Sequence, residues 1–213
     1  ASMREVTELL ADRVAGPLTT EQQEIVEILD NSSRNLQKLI EQLLDYNRKL
    51  ADGPVERQKV DIAELAQTVV SAHSLPARAK MMSTELALGE RFCLAEPTLL
   101  TSVLDNLYSN AVHYGAESGN IRIHSYRHGE QVRIDVANSG EPIPVAERNM
   151  IFEPFYQGSH LRKGAVKGSG LGLSIARDCV RQMQGELSLV DDNPGFICFR
   201  ISLPAAEPGK TNT

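Results

Sequence analysis

The chain has no surplus of positive charge: 22 lysines and arginines face 28 aspartates and glutamates, for a net charge of −6 and a pI near 5.4. Nucleic-acid binding needs a basic face to neutralise phosphates, so this balance argues against that class, a local basic patch aside. Cysteine is scarce. Cys93, Cys179 and Cys198 are odd in number, widely spaced and set among apolar residues, which is the pattern of reduced core thiols rather than of disulfides or a metal site, and it points to a reducing compartment. No apolar run approaches the ~20 residues of a membrane-spanning helix. No signal peptide is visible at Ala1, so the chain as given is not expected to cross a membrane. Internal repeats are missing, and so is low complexity apart from a polar tail at 205–213, expected to be disordered. What remains is 213 residues at 41% hydrophobic and 23% charged, enough for one or two domains with real cores.

The first 50 residues read as a helical hairpin. Ala1 to Val14 has the pattern of a helix already under way, and Gly16-Pro17 breaks it. Thr19-Thr20 followed by Glu21, Gln22 and Gln23 then supplies a capping-box start for a second helix. In that helix Ile25, Leu29, Ser32, Leu36, Leu39, Leu43, Tyr46 and Leu50 alternate spacings of four and three, a heptad seam with one polar interruption. Two helices leave too much of such a seam exposed, so a four-helix bundle formed by a two-fold dimer is expected.

Residues 51–59, opened by Ala51-Asp52-Gly53-Pro54, read as a linker, and from residue 60 to 204 the pattern is mixed α/β. Asp61 to Ser74 is helical by periodicity, Thr84 to Leu88 and Arg91 to Leu94 are short strands, and Pro97 opens a helix at its favoured first-turn position. Ile121 to Tyr126 and Gln131 to Ala137 alternate around His128-Gly129 as a hairpin. A helix ending near Gly185 precedes a last strand over Gly195 to Leu203.

Two stretches carry chemistry. Gly168, Gly170 and Gly172 alternate just before an apolar helical run reaching Met183; glycines let backbone N–H groups approach a ligand, and a helix N-terminus favours an anion there. The spacing is not the G-x-G-x-x-G of dinucleotide folds, and no Gly-Lys-Ser/Thr closes it as a Walker A loop. The other is the helix from Pro97 to about Tyr114. It splits into a core stripe (Leu100, Val103, Leu104, Leu107, Ala111) and a polar face bearing Asn106, Asn110, His113 and Tyr114. Asparagine is a poor helix former, so two on one face point to ligand binding, and an amide oxygen suits Mg²⁺.

Leu104-Asp105-Asn106-Leu107-Tyr108-Ser109-Asn110-Ala111-Val112-His113-Tyr114 resembles the N box of sensor histidine kinases. Ile151-Phe152-Glu153-Pro154-Phe155-Tyr156 resembles their F box and Gly168 to Ile175 their second glycine box, in family order and at family spacing. The resemblance covers nearly the whole chain. It implies a truncated dimerisation and histidine-phosphotransfer hairpin over 1–50, and over 60–204 an α/β two-layer sandwich of the gyrase and histidine-kinase ATP-binding type. It implies ATP and Mg²⁺ as ligands, with Asn110 the Mg²⁺ ligand and Asn106 where gyrase-type ATPases keep a glutamate base. Tyr114 would then pack near adenine and His113 would face the phosphates. Asn138, Gly140 and Ile143 would belong to the first glycine box, and Phe155, Gly168, Gly170, Leu171, Gly172 and Leu173 would surround the nucleotide. Gln157 to Lys167 resembles the family's lid, with Arg162, Lys163 and Lys167 as phosphate contacts. A homodimer through the hairpin, a cognate response regulator, and a place as the cytoplasmic portion of a bacterial inner-membrane sensor complete what the resemblance implies.

Three departures stand out. Asn138 occupies the place of an adenine-reading aspartate, with Pro142 in place of a glycine, and Gln157 stands where arginine is common. The family's phosphoacceptor lies in an H-E-x-x-T-P-like segment, which on this alignment would end just before Ala1; His73, His113, His124, His128 and His160 lack that setting. These departures motivate a second reading, a degenerate nucleotide-sensing or protein-interaction module without kinase activity. A gyrase-like ATPase is disfavoured by the missing glutamate.

Overall fold

A computed structural model describes residues 9–10, 14, 16–26, 28–30, 33, 37, 55–158, 169–190 and 195–206, and the chain divides into units 1–53 and 54–213. Most of the expected helix before Val14 (all but helical Leu9 and Leu10), most of the heptad seam, residues 51–54 and the tail from 207 lie outside the described residues. In the first unit the capping box is present: the Thr19 N–H donates to Gln22 Oε1 at 2.9 Å and the Gln22 N–H to Thr19 Oγ1 at 3.2 Å. Val26 is buried, whereas Ile25 and Leu29 of the seam are 56% and 44% exposed.

The second unit is built on β1 (Gln58–Asp61), α1 (Ile62–Ala72), α2 (Ser74–Ala79), β2 (Ser83–Leu88), β3 (Phe92–Ala95) and α3 (Pro97–Tyr114). It continues with β4 (Asn120–His128), β5 (Gln131–Ser139), α4 (Gly172–Gln182), β6 (Glu186–Val190) and β7 (Phe196–Pro204). β1 pairs antiparallel with β3, and the main sheet runs β2-β4-β5-β7-β6 with only β2 and β4 parallel.

Alternation decides which face is covered. Ile121, Ile123 and Ser125 on β4, Val132, Ile134, Val136 and Asn138 on β5, and Phe199, Ile201 and Leu203 on β7 are buried beneath the helices. Above them the expected stripe of α3, from Leu100 to Ala111, is buried throughout, and fully buried Tyr108 bonds Thr84 of β2 at 2.7 Å. α3 starts at Pro97 with the Glu96 carboxylate accepting from the Leu99 N–H at 2.5 Å, which satisfies one of the free donors of its first turn. All three cysteines are buried free thiols, and burial, with a smaller push from Glu90, raises the Cys93 thiol to about 12. No helix among the described residues is long and apolar enough to cross a membrane.

Three expectations need correction. The last two residues of the segment read as linker, Gln58 and Lys59, already belong to β1, whose Asp61 caps α1 and holds Arg91 at 2.6 Å. Arg91 keeps the Asp61 carboxyl below its ordinary value, so its contribution is complete above the usual carboxylate range and is lost as pH falls through the lowered pKa. The hairpin register pairs His128 with Gln131, moving the turn to Gly129-Glu130. The tail does not leave the fold at 205: Ala205 bridges to Cys93 and Ala206 is buried.

Candidate functional site

The polar face of α3 meets the start of α4. Asn106 turns its amide so that Nδ2 donates back to the Ser102 carbonyl at 2.9 Å, and a Cβ added to Gly172 would lie 3.0 Å from its Oδ1. A glycine at position 172 is thus what lets α4 begin against that amide. Among the described residues no side chain caps α4; the Leu171 N–H is taken by Ser169 Oγ at 3.2 Å, and the first N–H groups of a helix have no intrahelical partner and form its positive end. Asn110, one turn beyond Asn106, is half-buried, and its side-chain amide makes no hydrogen bond among the described residues. The rings of His113 and Tyr114 meet edge to face at 4.7 Å. Tyr114 is 45% exposed, and what burial it has raises its phenol.

At the C-terminal end of α3 lies a second polar group, Asn138, only 4% exposed at the end of β5. Its Nδ2 donates to the Ser139 carbonyl at 3.2 Å and is walled by glycines: a Cβ on Gly140 would come within 3.3 Å of it and one on Gly115 within 3.5 Å. Ile143 follows in the same loop, its carbonyl accepting from Arg148 Nε at 3.2 Å.

The third part is a closure between Phe155 and the glycine-rich turn. The Phe155 N–H donates to the Gly170 carbonyl at 2.9 Å, and both residues sit in the left-handed region, at φ 64° and 70°. Phe155 is 66% exposed, Leu171 is buried and Leu173 half-buried. Desolvation first, then the charge and hydrogen bond of Glu147, raise the Tyr156 phenol. Arg177 of α4 reaches Glu153 at 3.5 Å and lies over the Phe152 ring, tying the helix to the same segment.

The structure therefore brings Asn106 and Gly172 together, groups Asn138 and Gly140 at the end of α3, and joins Phe155 to Gly170. Arg162, Lys163, Lys167 and Gly168 lie outside the described residues. Sequence reasoning missed Ser139, Glu147 and Arg177, whose partners are remote in the chain or set by backbone turns. One more signal was within reach: Asp105, the only acid in the 104–114 stretch, is bonded by His73 Nε2 at 2.7 Å and so faces α1 rather than the asparagines.

The histidine kinase-, DNA gyrase B- and HSP90-like ATPase family matches residues 95–207, and the His Kinase A (phospho-acceptor) domain family matches residues 1–51. Over 210 residues the chain is 71% identical to sensor histidine kinase GlrK of Escherichia coli strain K12 and to sensor histidine kinase QseE of Escherichia coli O157:H7. Each match covers 99% of this chain and 44% of the relative, so the chain spans less than half the length of these curated proteins. Among solved structures, full-length ShkA in complex with AMPPNP superposes with a TM-score of 0.73 at 26% identity, over 96% of this chain and 43% of that one.

Proposed function

The chain belongs to the sensor histidine kinases, and on that premise we propose that its second unit binds ATP-Mg²⁺ between α3, the end of β5 and the start of α4, and transfers the γ-phosphoryl to a histidine of a phosphoacceptor domain. From there the group passes to an aspartate of a response regulator. The observation that carries this reading is Asn106 and Asn110 on one half-buried face, with Gly172 packed against Asn106 so that a helix start with no side-chain cap among the described residues stands beside them.

The donor set fits the ligands. Asn110 offers a neutral oxygen of the kind Mg²⁺ accepts, and the N–H groups at the start of α4 suit phosphate oxygens. Asn110 would help hold Mg²⁺, and the ion would supply charge neutralisation for the phosphates. The chain's own residues orient the nucleotide and leave water unactivated. The Asn106 amide cannot accept a proton, and Asp105, the nearest carboxylate in sequence, is held by His73. Transfer to a histidine nitrogen needs positioning and charge stabilisation more than a base, so an amide at 106 suits a kinase better than a hydrolase.

Exposed Ile25 and Leu29 of the first unit support a homodimer through the hairpin, and kinship with sensor kinases supports a bacterial inner-membrane protein whose cytoplasmic part this is. The proposal is tested by mixing the chain with a longer relative that carries the phosphoacceptor histidine but a disabled nucleotide site. Label from γ-³²P-ATP is expected on the longer chain; ATP binding without any transfer would favour the non-catalytic module.

Asn138 is the proposed reader of the base. An asparagine that turned freely would present an acceptor to adenine's amino group or a donor to guanine's carbonyl. The bond from Nδ2 to the Ser139 carbonyl opposes that freedom, because flipping the amide would set two oxygens against each other. With a hydrogen bond worth ~1 kcal/mol, the wild type is expected to prefer ATP to GTP by roughly five- to tenfold. Asn138→Asp, which puts an oxygen where Nδ2 was, should destabilise the fold by about 1–3 kcal/mol. Competition binding and denaturant titration check both parts. Equal affinities for ATP and GTP in the wild type would mean that the amide turns freely.

A further inference from the structure

Lys80 lies outside every motif described above, in the turn between α2 and β2, yet its side chain closes the end of α3. Nζ donates to the carbonyl oxygen of Val112 at 2.8 Å and to that of His113 at 2.5 Å. The main chain holds it in place. The Lys80 carbonyl accepts from the Ser118 N–H at 2.9 Å and the Ser83 N–H donates to the Gly119 carbonyl at 3.0 Å, so residues 80–83 strap the turn that follows the helix. Met82 packs its terminal methyl where a Cβ on Gly115 would fall, 3.5 Å from the Asn138 amide nitrogen on the other side.

The last four carbonyls of a helix have no partner further along, and they carry the negative end of its dipole. In α3 the Gly115 N–H takes the Ala111 carbonyl, and Lys80 takes the next two. That same end bears Asn110, His113 and Tyr114, along which the nucleotide is proposed to lie. A polyanion beside a bare helix C-terminus is repelled. An ammonium on two of its carbonyls removes the repulsion and fixes the backbone from which His113 projects.

We propose that Lys80 is a positioning residue for the phosphorylated nucleotide: it neutralises the C-terminal end of α3 and so favours the triphosphate, without touching it. This inference rests on the nucleotide-site reading above. It predicts a dependence on ligand charge that a merely structural cap would not show. Lys80→Gln keeps a hydrogen-bond donor without the charge, Lys80→Met removes both, and Lys80→Arg keeps the charge.

Titration calorimetry of the whole chain with ATP-Mg²⁺ and with adenosine, alongside ligand-free melting, separates the possibilities. Lys80→Gln and Lys80→Met are expected to weaken ATP-Mg²⁺ by about three- to tenfold while adenosine changes by less than about twofold, and Lys80→Arg should stay near wild type. Equal losses for ATP-Mg²⁺ and adenosine in Lys80→Gln would overturn the proposal and leave Lys80 a structural cap. Wild-type affinities in both variants would overturn it too. If the wild type itself bound neither ligand, the nucleotide site would fall, an outcome distinct from failure at Lys80 alone.

Discussion

ATP-Mg²⁺ at 100 times its Kd is expected to stabilise the second unit by about 2.7 kcal/mol, and Asn110→Ala to abolish most of that gain. For a unit of this size the wild-type shift corresponds to roughly 5–10 °C in melting temperature. The variant is informative because the Asn110 side chain makes no hydrogen bond among the described residues and is only half-buried. Removing its amide breaks nothing in the ligand-free fold, and alanine is the better helix former by a few tenths of a kcal/mol. The ligand-free melting temperature should therefore hold or rise slightly while the response to ATP-Mg²⁺ disappears. Chelating Mg²⁺ should make the wild type resemble the variant. A wild type that does not respond to millimolar ATP-Mg²⁺ would sink the kinase reading; a full response in Asn110→Ala would remove that residue from the metal site.

How much of this was legible in the sequence varies with the range of the interactions. Helical periodicity is local, so the buried stripe of α3 and its opposite asparagine face could be read directly, and so could the capping box at Thr19. β1 could not, because among Gln58, Lys59, Val60 and Asp61 only Val60 is buried and the strand exists by pairing with residues over thirty positions away. β6 is similarly short and is held by β7. The parallel pairing of β2 with β4 follows from how β3 and α3 intervene, which no local pattern encodes. At the site, residue types announced the chemistry, but orientation was set elsewhere. The direction of the Asn138 amide depends on a neighbouring carbonyl, and the charge balance at the end of α3 depends on a lysine 32 residues upstream of Val112.

Gly170→Ala is expected to cost ATP affinity at least about tenfold, with a smaller loss of stability than its steric clash suggests. At φ 70° an alanine carries a left-handed penalty of roughly 1–2 kcal/mol. Its Cβ would also stand 2.7 Å from the Phe155 carbonyl carbon, 2.8 Å from the Tyr156 oxygen and 2.9 Å from the Phe155 Cα, all main-chain atoms that no rotamer change can move. Keeping the closure would add about 1–3 kcal/mol of overpacking. Opening it forfeits the Phe155–Gly170 hydrogen bond, worth ~1 kcal/mol, and frees position 170 to return to negative φ. Opening is the smaller cost. It also moves Leu171 and Gly172, so the start of α4 leaves the Asn106 amide and the proposed phosphate cradle loses its wall. Gly129→Ala is the control. It has a φ of 61° with nothing within 4 Å of the added Cβ, so it should lose roughly 1–2 kcal/mol of stability and no ATP affinity. Denaturant midpoints and ATP-Mg²⁺ titrations of the two variants are expected to show opposite patterns. Wild-type affinity in Gly170→Ala would mean that the Phe155 closure does not position α4.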